Sequence, residues 1–321
     1  MSTYTITSKN HDEWLKSREG GIGSSEVATI LGVNPYDTPY QLWLRKTGRV
    51  PVVEEENKLM HLGHVLEDAV TKLCAEDAGL EIVKSSAAEF VVVNKEKPYF
   101  RVSPDRYAFP VGAAHTNDNK VIIEAKTTQK AVDPDNISKY WFLQVSYQLL
   151  VTGIRMAYIA WLTAGRDYGF KPIYYDEDFA KFIAEEVERF WVDCIIGGRE
   201  PGLMNVQDVL IKFPKQEEGK IAVAPDNIVE VWAELKDTND EIKRLQAKKE
   251  ECENAIKMAM MDAERLVIPA TNDNPEERTL CTWKATKASK KFDVDALKNE
   301  APEIYAKYLK DTEGSRRFAC K

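Results

Sequence analysis

Apolar residues along this chain recur at two periods, and the switches between them divide it into segments. Residues 10–50 follow the helical period, with a glycine-rich stretch at Gly20, Gly21 and Gly23. Within it, SSEVATILGV offers Ser24 and Ser25 as N-caps and Gly32 as a stop. After a turn at NPYDTP, YQLWLRKTG predicts a second short helix closed by Gly48. Residues 58–79 predict one helix, with Leu59, Leu62, Leu66, Ala69, Val70 and Leu73 at helical spacing and Gly79 at its end.

Between residues 80 and 130 the period shortens to two. EIVKSS, AEFVVV and YFRVSPD are β-rich with turns between them, and KVIIEAKTT predicts another strand. Its alternation puts Val121 and Ile123 on one face and Ile122 and Glu124 on the other. Residues 137–153 return to helix, MAYIAWLTA is a further strand, and 176–198 is a helix carrying Phe179, Phe182, Phe190 and Trp191. That order, helices, an antiparallel meander, helix, strand and helix, describes a mixed α/β domain over residues 1–200.

Pro201, Pro214, Gly219 and Pro225 mark a linker over 201–225. Residues 226–264 then predict one long polar helix or a helical hairpin. Ile228, Trp232, Leu235, Ile242, Leu245, Cys252 and Ile256 lie close to a heptad seam, short and broken at Lys249, which suits a hairpin or packing on the core as well as a coiled coil that associates with itself or docks a partner. Residues 269–278 predict a loop, and 279–321 a small α+β module. There Lys284, Lys287, Lys290, Lys291, Arg316 and Arg317 lie beside Trp283 and Phe318, a pattern that suits either nucleic-acid contact or a solvated face.

Composition narrows the function. At 321 residues the chain is long enough to bury a core without disulfides. Its five cysteines are scattered with no CxxC pair, which argues against a secreted scaffold and fits a reducing cytoplasm. No apolar run is long enough to cross a bilayer. The formal net charge of −8 argues against coating nucleic acid through bulk positive charge, but leaves room for a local basic channel or for phosphate recruited through a metal.

The chemistry concentrates at Ser103-Pro104-Asp105 and at Glu124-Ala125-Lys126. Two residues apart on a strand, Glu124 and Lys126 face the same side. Asp105 is placed to meet them if the two strands pair. Two carboxylates and a backbone carbonyl are hard oxygen ligands for Mg²⁺, and a nearby ammonium can orient water or screen developing charge. The bland alternative is an exposed strand of alternating charges.

These segments resemble the PD-(D/E)XK nuclease signature. Within that superfamily, GIGSSEVATILGVNPY, LGHVLEDAV, VSPD, IIEAKT and QVSYQLLVTG are similar, in order, to the YqaJ-type viral recombinase family, which includes the lambda-type alkaline exonucleases. The resemblance covers roughly residues 10–200. It implies a restriction-endonuclease-like core, a mixed central sheet flanked by helices. It also implies that Asp105, Glu124, the carbonyl of Ala125 and Glu67 hold Mg²⁺, as one or two ions, with Mn²⁺ as a substitute, and that Lys126 is the catalytic lysine. Arg18 and Ser25 match the pair that grips the 5′-phosphate, and Gln144 matches the first glutamine of a Q-x-Q motif. The second position of that motif is Ser146, leaving Gln148 and Ser24 as further candidates for the pocket, with Gln144 and Gln148 otherwise an i, i+4 pair on a solvated face. His64 is a candidate to contact DNA or to pack near Glu67. His61 and His64, three apart on one helix, lack the further ligands of a zinc site.

The activity implied is 5′-to-3′ degradation of double-stranded DNA ends, leaving 3′ tails for a single-strand annealing protein. The expected setting is the cytoplasm of a bacterium, encoded by a phage or prophage. A homo-oligomeric ring, possibly a trimer, is implied as well, with no membrane partner. The alternatives are an endonuclease or single-strand-specific nuclease on the same fold, and a non-catalytic protein that binds DNA ends and recruits partners.

Overall fold

The computed structural model describes residues 2–51, 58–83, 89–270, 276–312 and 314–320. The end of the expected β-rich EIVKSS segment and the turn that follows it, within 84–88, and the middle of the expected loop at 269–278 lie outside them. Two compact units are present, Met1–Lys212 and Phe213–Lys321.

The first unit begins with β1 (Thr3–Ser8), α1 (His11–Glu19), a single 3-10 turn (Ser24–Glu26), α2 (Val27–Ile30), α3 (Pro39–Lys46) and α4 (Lys58–Asp77). It continues with β2 (Leu80–Ile82), β3 (Glu89–Asn94), β4 (Arg101–Val102), β5 (Arg106–Pro110), β6 (Val121–Thr128), α5 (Lys139–Thr152), β7 (Met156–Thr163) and β8 (Asp167–Tyr174). It closes with α6 (Glu177–Arg189), which runs on as a π-helical segment to Ile196, and α7 (Val206–Lys212).

The central sheet has the order β2-β5-β6-β7-β8. All its pairings are antiparallel except β6 with β7, which is parallel. One face packs on α4 through Val70, Cys74, Val121, Ile123 and Ala160. The other packs on α5 through Ile122, Val145, Leu149 and Ile159. The expected mixed sheet flanked by helices is therefore present.

The expected single meander is not. β3 and β4 leave the main sheet and pair antiparallel with β1 in a second sheet of order β1-β3-β4. Helix α5 lies between the main sheet and a further core built from α2, α3, α6 and the small sheet. Every residue from Leu143 to Val151 is buried in consequence.

Three local expectations also change. Ser24 and Ser25 do not cap α2: Gly23 begins the turn, and its N–H donates to Glu26 Oε2 at 2.7 Å. On α4, Leu59, Leu62 and Leu73 are exposed, and the covered face is Val70, Thr71, Cys74 and Ala75. The linker expected from residue 201 begins later, because α7 is anchored. Asp208, fully buried, accepts from Thr38 Oγ1 at 2.8 Å, Gln41 Nε2 at 2.7 Å and the Met204 N–H at 2.9 Å. Asp208→Ala would strand three donors, and is expected to cost roughly 3 kcal/mol. A thermal melt should show a drop of about 6–12 °C. An unchanged melt would mean α7 is not held this way.

The second unit holds α8 (Asp226–Met260), a hairpin of β9 (Arg265–Ile268) and β10 (Arg278–Thr282), α9 (Val294–Glu300) and α10 (Pro302–Tyr308). The long segment is thus one helix and not a helical hairpin. In the basic set, Lys284 pairs with Glu264 and Arg316 donates to the carbonyl of Phe213. Among the described residues no helix is long and apolar enough to cross a membrane.

Candidate active site

Register brings the sequence candidates together. β5 and β6 pair with Arg106 opposite Ile123, so Asp105, just before β5, lies beside the Glu124-Ala125 step. Asp105 Oδ2 accepts from the Ala125 N–H at 2.8 Å. Burial, then the negative charges of Glu124 and Glu67, push the Asp105 carboxyl well above its ordinary pKa, against the opposing pull of Lys126.

Glu124 is 1% exposed and points at α5. Its Oε1 accepts from Lys126 Nζ at 2.7 Å and from the Gln144 amide, and its Oε2 accepts from Gln148 Nε2 at 2.8 Å. Lys126 Nζ also donates to Gln144 Oε1 at 3.0 Å. Burial works against the Lys126 ammonium, but Glu124 and Asp105 outweigh it and its pKa ends above the usual lysine value. Lys126 therefore stands as a charged donor at neutral pH.

Gln144 and Gln148 are not on a solvated face. Spaced one helical turn apart on a helix covered on all sides, both turn their amides onto one carboxylate. Gln148 Nε2 also approaches Ser24 Oγ at 3.5 Å, while Gln148 Oε1 and Ser103 Oγ are buried without a hydrogen-bond partner. Ser146, the residue in the motif position, is buried but makes none of these contacts to Glu124.

Glu67 approaches from α4. Burial raises its pKa, Arg106 opposes the rise, Glu124 adds to it, and His64 is near enough to favour the charged form. Arg106, absent from the sequence candidates, donates from Nη1 to Glu67 Oε1 at 2.8 Å and to the carbonyl of Asp105 at 2.5 Å. It also faces Asp68 Oδ1 at 3.6 Å. The signal available was its place directly after Asp105, where a guanidinium is the natural counter-charge to a carboxylate group. His61 and His64 join no transition-metal cluster among the described residues.

The donor set fits a hard divalent cation. Three carboxylates lie close together, the charges of Glu124 and Glu67 raising the Asp105 pKa and that of Glu124 raising the Glu67 pKa, and Ala125, whose N–H meets Asp105, follows Glu124 on the strand. Among the described residues they do not stand as a finished ligand cluster. Glu124 is held by amides and an ammonium, and Glu67 by Arg106, so holding an ion would require these side chains to reorient.

A separate polar pair stands at the N-terminal segment. Arg18 Nη2 donates to Ser25 Oγ at 3.1 Å, with the guanidinium stacked 4.5 Å from the Trp14 ring. The glycines matter here: a Cβ on Gly21 would meet the Tyr99 carbonyl at 2.5 Å, and Ile22 bridges to Phe100. That close approach fixes the strand-like entry to the Ser24–Glu26 turn. Through Ser24 and Gln148 the turn is connected to Glu124.

The chain matches the model of the YqaJ-like viral recombinase domain over residues 13–155. It is 31% identical to the uncharacterized protein YqaJ of Bacillus subtilis (strain 168), across 97% of this chain and 94% of that one. The chain belongs to the YqaJ-like viral recombinase family. Solved structures similar to it include an alkaline exonuclease from Laribacter hongkongensis, 16% identical with a TM-score of 0.45, covering 58% of this chain and 93% of that one. A phage-related exonuclease from Haemophilus somnus 129PT is 14% identical with a TM-score of 0.40, covering 56% and 96%.

Proposed function

We propose that this member of the YqaJ-like family is a Mg²⁺-dependent nuclease that degrades the 5′ strand at double-stranded DNA ends. It would leave 3′ tails for a single-strand annealing protein, in phage-type recombination within a bacterial cytoplasm. The observation that carries the reading is the meeting of Asp105, Glu124 and Lys126 at one end of the paired strands β5 and β6. Membership of a viral recombinase family supports it.

Glu67, Asp105, Glu124 and the Ala125 carbonyl would hold the cation, and Mn²⁺ would substitute because it shares the preference for oxygen ligands. When bound, the cation would supply positive charge against the phosphate and make water a better nucleophile. Lys126, kept as an ammonium, offers a donor where an attacking water or a phosphate oxygen gains negative charge. Gln144 holds both Lys126 and Glu124 in place, and Gln148 fixes the second oxygen of Glu124. The Arg18 guanidinium and Ser25 hydroxyl form the receptor for a terminal 5′-phosphate. A ring of copies around the duplex would retain DNA by topology despite the net charge of −8.

The test is digestion of linear duplexes labelled at the 5′ or 3′ end, with Mg²⁺ or with EDTA. Release should begin at 5′ ends and stop in EDTA. Arg18→Ala should lose roughly 10- to 100-fold of the preference for a 5′-phosphate over a 5′-hydroxyl. Nicking of a closed circle, or release from 3′ ends, would overturn the assigned direction and mode.

A further inference from the structure

Helix α8 is 35 residues long, about 52 Å at 1.5 Å per residue. Helices in water are held mainly by packing of an apolar face, not by their own hydrogen bonds. Among the described residues of the second unit that packing is missing over most of the length. From Asp226 to Ile256 every side chain is exposed except the half-covered Leu235 and Asn239, and burial begins only at Met260.

The apolar residues on this bare helix are ordered. With Ile228 as a heptad a position, Leu235, Ile242 and Ile256 fall on a, while Val231 and Leu245 fall on d. Cys252 and Ala259 continue the d series. In five heptads only two seam positions are polar, Thr238 at d and Lys249 at a.

Those two exceptions choose an orientation. A parallel pairing of two copies would set Lys249 against Lys249. An antiparallel pairing centred between Lys243 and Arg244 sets every a against a d of the second copy: Ile242 meets Leu245, Leu235 meets Cys252 and Val231 meets Ile256. In the same register Thr238 meets Lys249, so the polar positions share layers and no apolar side chain faces a charge. Glu241 and Lys248, both g positions, then lie opposite one another across the interface, twice by symmetry. The surface is self-complementary, as a two-fold interface requires.

We propose that α8 pairs antiparallel with α8 of a second copy of this chain as a two-stranded coiled coil. The seam explains why a helix with so little cover from the described residues of its own unit keeps an ordered apolar stripe. The lysine that interrupts it acts as a register mark, since polar residues at a positions specify alignment at some cost in stability. The pairing does not depend on the nuclease reading, because its readout is mass and cross-linking.

The experiment uses the full chain. In sedimentation and native mass spectrometry, Ile242→Asp/Leu245→Asp should halve the particle mass at equal concentration. Lys249→Leu should move dissociation to at least tenfold lower concentration. Leu235→Cys, oxidised gently as a mixture of ¹⁴N and ¹⁵N copies, should yield a 235–252 disulfide peptide containing both isotopes. A mass unaffected by the double substitution, or by dilution of Lys249→Leu relative to the wild type, overturns the proposal. A 252–252 link in the wild type without a 235–252 link in the variant overturns the antiparallel orientation.

Discussion

Lys126→Met is expected to lower turnover on DNA ends by about 10³-fold while leaving end binding in Ca²⁺ nearly unchanged. Methionine keeps most of the volume of the lysine stem, so the strand and the packing around it survive. What disappears is the one ammonium that donates to both Glu124 Oε1 and Gln144 Oε1. Glu124 keeps its two amide donors and so stays oriented. Lys126→Arg should not rescue, because the planar guanidinium is larger and cannot present one compact charge at the same place. Single-turnover digestion beside a binding assay separates the two effects. Turnover within tenfold of the wild type would remove Lys126 from the chemistry.

Asp105→Asn is expected to raise the melting temperature of the metal-free protein at neutral pH by about 5 °C, while abolishing cleavage. The sign follows from the raised pKa of the buried carboxyl. A group whose folded pKa lies above its unfolded value contributes stability that is fully present below the unfolded pKa. That contribution is lost as pH rises through the folded pKa. At neutral pH, keeping the Asp105 carboxyl buried next to Glu124 and Glu67 therefore burdens the fold. Asparagine removes the charge and can still accept from the Ala125 N–H. For the same reason, the rise in melting temperature on adding Mg²⁺ to the wild type should be larger at pH 8 than at pH 6, and small in Asp105→Asn. An unchanged melt in EDTA together with a wild-type response to Mg²⁺ would reject the carboxylate cluster.

Much of the site was legible because strand periodicity is strict. A two-residue spacing placed Glu124 and Lys126 on one face, and the structure has them 2.7 Å apart. The pairing partner of that strand was less clear, since β4 and β5 are separated by only three residues and belong to different sheets. β8 escaped notice because DYGFKPIY contains Gly169 and Pro172, which ordinarily break strands. As an edge strand it tolerates the proline, and Gly169 is required because a Cβ there would lie 2.6 Å from the Trp161 ring. β1 carries a mixed polar pattern that its partner β3 rescues.

The glutamine pair illustrates a different loss. As letters at i, i+4, Gln144 and Gln148 suit a wet helix face. The signal against that was the apolar run on all sides of α5, which marks a helix buried all round, where an amide must find its partner inside the protein. On α4 the error ran the other way: spacing alone selected Leu59 and Leu62, although both side chains are exposed.

Ser103, Pro104 and Asp105 form the only covalent crossing from β4 to β5, so the acid stands on the bridge between two sheets. Proline stiffens that bridge by fixing its own backbone angle. The outermost strand of the small sheet is the first stretch of the chain, Thr3–Ser8, which shields the free edge of β3. An affinity handle or a protease cut beside Thr3–Ser8 would thus loosen the abutment from which Asp105 is cantilevered, and is expected to weaken the proposed cleavage without touching any residue of the candidate site.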